Sequence, residues 1–131
     1  MPKFYARWQD VPADAWRWPH FKPSEIASPD DGSLLADEEA LEKLEALRRR
    51  LGRPMTINSA YRSATHNKAV GGEPGSQHLK GKAFDVRLQG FTRQELKAAA
   101  RAAGFTGFGD YDSFVHIDTG PARAWDRRTK P

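Results

Sequence analysis

The 131 residues carry 21 Lys and Arg against 17 Asp and Glu, a net charge of +4, with 38% hydrophobic and 29% charged side chains. That balance suits one globular domain with a single core and excludes a disordered chain. The absence of cysteine rules out disulfides, thiolate metal sites and a cysteine nucleophile. No apolar run approaches the roughly 20 residues of a membrane helix.

Residues 1–33 are rich in Trp, Pro and Asp. They are expected to form an extended segment with short helical turns that wraps the domain. Trp8, Trp16, Trp18 and Phe21 are expected to cap the core. Asp37 is the predicted N-cap of the first helix: Glu38 and Glu39 follow at its positive end, and Leu41, Leu44, Leu47 and Leu51 recur on one face. Gly52 closes that helix and Pro54 prevents its resumption. Arg48-Arg49-Arg50 falls at its carbonyl end and reads as a solvated, dipole-favoured run. Without aromatic side chains interleaved among basic ones, nucleic acid is not an expected partner.

Met55–Asn58 reads as a strand, and Ser63 as the N-cap of a brief helix through Val70. Residues 71–75 read as a glycine-rich loop. Lys82–Leu88 alternates apolar and polar positions, as a strand does. Thr92-x-x-Glu95 is a capping box opening a helix that Gly104 ends. Phe105–Gly109 and Phe114–Asp118 predict a hairpin around a turn at 110–113. The expected class is α+β, a small and mainly antiparallel sheet with flanking helices, in a single domain over 1–131.

Ser76–Asp85, read with Phe114–Asp118, carries the chemistry. His78, Asp85 and His116 supply two imidazoles and one carboxylate, the ligand count of a catalytic zinc site with one position open to water. On its strand Asp85 opposes Phe84 and Val86, an unfavourable place for an unpartnered carboxylate. His116 shares a face with Phe114 and Asp118, while Val115 and Ile117 point the other way. Taken one by one, each residue also fits a hydrogen-bonded structural role. Together they point to water-activating hydrolysis.

Ser76-x-His78-x-x-Gly81-x-Ala83-x-Asp85 with the later His116 resembles the zinc D-Ala-D-Ala carboxypeptidase family of peptidoglycan peptidases. The wider group includes lysostaphin-type endopeptidases and the hedgehog domain. Ile57–Ser63, His66-Asn67, Ala69–Gly72, Phe114–Gly120 and Trp125 share the resemblance, closest to murein endopeptidases and phage-borne lysins. It implies a hedgehog/D-Ala-D-Ala-peptidase-like fold and Zn2+ held by His78, Asp85 and His116. It also implies that Arg62 meets a substrate carboxylate or the developing oxyanion, a task for which its planar fork suits it. Ser76 and Gln77 are expected to line the cleft or to position His78.

One departure bears on mechanism. Many relatives carry Glu or Asp three residues before the last zinc histidine, as general base, and others a histidine two residues before it. Here those places hold Ser113 and Phe114. Asp118 and Asp112 are the expected candidates for the base, with Asp110 behind them. Asp118 is equally suited to orient His116.

The expected activity is zinc-dependent hydrolysis of a peptide bond in peptidoglycan, by carboxypeptidase or crosslink endopeptidase action. The alternative is a zinc-stabilised binding module without turnover. The expected partner is the peptidoglycan peptide, with no nucleic acid, no membrane, and a monomeric state. The first residues show no secretory h-region, so the expectation is synthesis in the cytoplasm and action on the wall by phage-type release or from a virion. A truncated chain would instead be periplasmic.

Overall fold

Asp37 begins the longest helix as its position predicts. Its carboxylate accepts from the Ala40 amide at 3.0 Å, and the helix α2 runs Glu38–Leu51 to Gly52, whose φ is 65°. In this computed structural model, which describes residues 2–129, α2 buries Ala40, Leu41, Leu44 and Leu47 in the core. Leu51, the last residue of the predicted face, is half-buried at the core edge. A short helix α1, Pro23–Ile26, precedes it. Helix α3, Ala64–Ala69, is capped by the Ser63 hydroxyl, which accepts from the His66 amide. Helix α4, Arg93–Ala103, starts with the full Thr92–Glu95 capping box and ends at Gly104. Leu96 and Ala100 of α4 pack beside α2 in the core.

Below the helices lies a five-stranded sheet. Its strands are β3 (Ile57–Ser59), β4 (Ala83–Arg87), β5 (Gly107–Asp110), β6 (Phe114–Asp118) and β7 (Arg123–Asp126), ordered β3-β4-β6-β5-β7. The β5–β6 hairpin forms as predicted, although β5 begins at Gly107 and not at Phe105. Phe84, Val86, Val115 and Ile117 are fully buried on the core face. The alternation of β4 and β6 therefore turns Asp85, His116 and Asp118 to the opposite face. Asp85 and His116 are cross-strand partners in the β4–β6 register.

Two features depart from the sequence reading. The run 123–126, to which the sequence reading gave no element, joins the sheet as β7, pairing parallel to β5 with Gly109 opposite Trp125. The sheet is thus antiparallel but for this edge. The N-terminal segment also contains strand β1 (Lys3–Tyr5), paired with β2 (Leu34–Ala36) in a separate ribbon. Both are strands of three or four residues, too short for alternation to register. The rest of the segment wraps as expected: Trp18 and Phe21 are buried, and Trp8 and Trp16 pack half-buried against the core. Met1 falls outside the described residues. Among those described, no helix is long and apolar enough to cross a membrane.

Candidate metal centre

His78 sits in a 3₁₀ turn, Gln77–Lys80, and not in open loop. The Ser76 hydroxyl caps this turn, accepting from the His78 amide at 3.2 Å. Gly81 ends it at φ 70°, beneath the Leu35 carbonyl, where a Cβ would come within 2.6 Å. This reversal carries the chain straight into β4, so His78 and Asp85 meet although seven residues apart.

The three predicted donors come together. His78 Nε2 lies 3.2 Å from Asp85 Oδ1, and His116 Nδ1 lies 3.1 Å from the same oxygen. One ligand atom from each residue falls within 4.8 Å of the others. Donors about 2 Å from a tetrahedral ion stand roughly 3.3 Å apart, which the two nitrogen–oxygen separations match. All three residues are buried, at 2%, 5% and 7% exposure.

The remaining nitrogen of each ring is also committed. His78 Nδ1 meets the Ala60 carbonyl at 2.6 Å, and a carbonyl only accepts, so Nδ1 carries the proton. His116 Nε2 meets Asp118 Oδ2 at 2.6 Å and donates to that carboxylate. Both neutral rings therefore aim a lone pair at Asp85, which has no proton to offer. The cluster needs either two imidazolium ions or a cation between the three groups. A divalent metal meets that need at neutral pH, and the donor set fits one.

Electrostatics follow the geometry. Burial pushes the Asp85 carboxyl up, but the His116 and His78 rings outweigh it and hold it well below the carboxylate range. Burial lowers His116, yet Asp118 and Asp85 together raise it. Asp118 is fully buried. Desolvation is overcome by His116 and Arg123, and its pKa is held at about 2.

The predicted base candidates are placed differently from the donors. Asp118 Oδ2 accepts from His116 and Arg123, and Oδ1 from the Gly120 amide and Arg123. Both oxygens are engaged, and the residue does not reach the cavity over the donors. Asp112 is exposed at the hairpin turn, where it accepts from the Thr129 amide and hydroxyl, and it too is outside the cavity lining. Asp110 is held by Lys97 and Arg93 on the α4 side.

That cavity has a volume of about 750 Å³. Arg62, Ser76 and Gln77 line it, as the sequence leads one to expect. Arg62 donates to Ser59, Asn67 and Asp85 at 3.0, 3.2 and 3.2 Å. Of its five N–H groups two remain for another partner. Gly72 leaves the space for this network: a Cβ there would meet Asn67 Oδ1 at 2.0 Å. A smaller hollow of about 370 Å³ near Tyr5, Trp16 and Trp18 holds none of the donor set.

Several lining residues went unread in the sequence, and Trp125 was read only through the family resemblance. Glu73 and Arg127 line opposite chain segments of the cavity, and Tyr111 stacks on Phe114 at 4.5 Å. Trp125 lies 5.0 Å from the His116 ring, and Arg123 pairs with Asp118. The signal for the last two was the Gly107-x-Gly109 alternation of β5. A Cβ at Gly107 would collide with Asp118 and Arg123, and one at Gly109 with the Trp125 ring. Two glycines on one strand face thus mark where side chains cross the sheet.

A buried two-histidine, one-aspartate set, lone pairs converging beneath a polar cavity on a small α+β fold, defines a candidate divalent-metal site. A model of the peptidase M15 family matches residues 19–118, and the chain belongs to that family. It is 38% identical over 91 residues to the zinc D-Ala-D-Ala carboxypeptidase of Streptomyces albus G, covering 63% of this chain and 35% of that protein. It is also 38% identical over 80 residues to the peptidoglycan L,D-endopeptidase MepK of Escherichia coli K12, covering 56% and 44%. A probable peptidoglycan L,D-endopeptidase MepK of Haemophilus influenzae matches at 39% over 72 residues, covering 50% and 39%. The chain thus spans less than half the length of these curated relatives.

Proposed function

We propose that the protein is a zinc peptidase that hydrolyses a peptide bond in bacterial peptidoglycan. The observation that carries this reading is the pair of imidazole lone pairs fixed on Asp85 by Ala60 and Asp118. The names of the relatives support both the ion and the substrate class. His78 Nε2, Asp85 Oδ1 and His116 Nδ1 would hold the ion, which would supply Lewis acidity and a water of lowered pKa.

The chain's own residues do the rest. Ala60 and Asp118 fix the two tautomers. Arg62 donates to Asp85 and presents its two remaining N–H groups to a substrate carboxylate or to a carbonyl oxygen gaining negative charge. Removing such a donor typically costs 10²–10³ in kcat. A proton acceptor has to line the cavity. Asp118 and Asp112 do not; Glu73 does, with no side-chain hydrogen bond or ion pair among the described residues. Glu73 therefore takes the base role in this scheme, a contribution of about 10²–10⁴ in rate.

The test is digestion of purified peptidoglycan, with new amino termini read by mass spectrometry, in the presence and absence of a chelator. Wild type should release them and His78→Ala should not. Glu73→Gln should keep its metal and lose at least about 10² in kcat. The absence of a carboxylate at Ser113 favours one other reading, a zinc-stabilised wall-binding module. Peptidoglycan that binds the metal-loaded protein without gaining amino termini would establish that instead.

A further inference from the structure

The cationic side chains around the cavity differ in what already holds them. Arg62 is tied to Asp85 and Asn67, and Arg123 to Asp118. Arg128, just outside, is tied to Asp126. Arg127 lines the cavity, and its guanidinium makes no hydrogen bond or ion pair among the described residues. Its backbone is held, because its amide donates to the Asp110 carbonyl at 2.7 Å just past the end of β7.

The wall beside Arg127 is rigid and aromatic. Tyr111 and Phe114 stack with ring planes 8° apart, and Trp125 Nε1 donates to the Tyr111 hydroxyl at 3.0 Å. Arg127 is exposed, and its guanidinium is free to make a charge-assisted bidentate contact with an anion seated against such a ledge. In the lining, guanidiniums also outnumber carboxylates, Glu73 and Asp85 being the only two. With Arg62 tied to Asp85 and Arg123 to Asp118, Arg127 is the lining guanidinium left without an ion-pair partner among the described residues.

We infer that Arg127 and the Tyr111–Phe114–Trp125 ledge form a carboxylate subsite, which reads an acidic residue of the substrate peptide beyond the bond that is cut. The inference rests on the peptidase reading and narrows it: the protein takes peptides with a free side-chain or α-carboxylate near the scissile bond and disfavours their amides.

The probe is the soluble stem peptide L-Ala–γ-D-Glu–L-Lys–D-Ala–D-Ala, compared with the same peptide carrying an α-carboxamide on its glutamyl residue. Binding to metal-loaded protein is read by titration calorimetry, and turnover separately by mass spectrometry of the recovered peptide. Wild type should bind the carboxylate form about three- to fivefold more tightly, the range of a partly exposed ion pair. Arg127→Gln should bring that ratio close to one, Arg127→Lys should retain only part of it, and Arg128→Gln should leave it in place. A ratio unchanged in Arg127→Gln, a wild type indifferent to amidation, or no measurable binding of either peptide overturns the subsite. Discrimination without any cleavage keeps the subsite and removes the catalytic reading, so the two failures are distinct.

Discussion

Asp118 Oδ2 accepts a hydrogen bond from His116 Nε2 at 2.6 Å, and this bond decides which nitrogen of His116 faces the metal position. Arg123 and the Gly120 amide hold the carboxylate in turn. Asp118→Asn keeps the size but removes the charge that anchors Nε2–H. Metal affinity should fall about 10- to 100-fold, as for other partners of ligating histidines. Competition with a chromogenic chelator measures this, and affinity equal to wild type would refute the orienting role.

Removing the metal should destabilise the wild type but not His78→Ala. A ligand at about 1,000 times its Kd adds roughly 4 kcal/mol to stability, worth about 15 °C in Tm for a chain of this size. Thermal melts with and without chelator give the comparison. Equal shifts in both proteins would mean that the stabilising ion sits elsewhere.

Gly109 is where the Trp125 ring crosses β5. A methyl group there would stand 2.3 Å from Cε2 of that ring, so the indole must move away from His116. Gly109→Ala should cost about 1–3 kcal/mol, the usual range for overpacking, and should alter near-ultraviolet circular dichroism. Gly75→Ala is the control: its φ is not positive and nothing lies within 4 Å of the added carbon. It should change stability by less than about 0.5 kcal/mol.

Asp110 predicts an acid dependence. Burial raises its carboxyl, but Lys97 at 2.9 Å and Arg93 at 3.1 Å outweigh that and hold it below its ordinary value of 3.8. A carboxylate lowered by folding stabilises above its unfolded pKa and loses that contribution as pH falls through the folded one. The stability difference between wild type and Asp110→Asn should thus be constant near neutrality and shrink below about pH 3.8. Denaturant titrations at several pH values test it. A difference that grew on acidification would have the wrong sign.

The sequence disclosed those parts of the fold whose cause is local. Asp37 before Glu38 and Glu39, the Thr92–Glu95 box, and the terminal glycines at 52 and 104 satisfy helix ends with neighbours a few residues away. Phe84, Val86, Val115 and Ile117 alternate with the polar face that carries Asp85 and His116, so the two donor strands were legible. His78 was legible as a donor but not as part of a 3₁₀ turn, because a four-residue turn leaves no periodicity.

What the chain could not announce depends on contacts distant along it. β7 pairs parallel to β5, and a four-residue strand has no pattern that distinguishes it from loop until its partner is in place. The Asp118 contact with Arg123 makes it a structural anchor filled by four hydrogen bonds, a count that only the assembled surroundings provide. The sequence by itself determined which three side chains could share an ion, since their chemical types and strand faces are written locally. The tertiary structure decided which nitrogen each ring offers and which charges stand free over the site, because a proton's place and an ion pair are set by groups meeting across the fold.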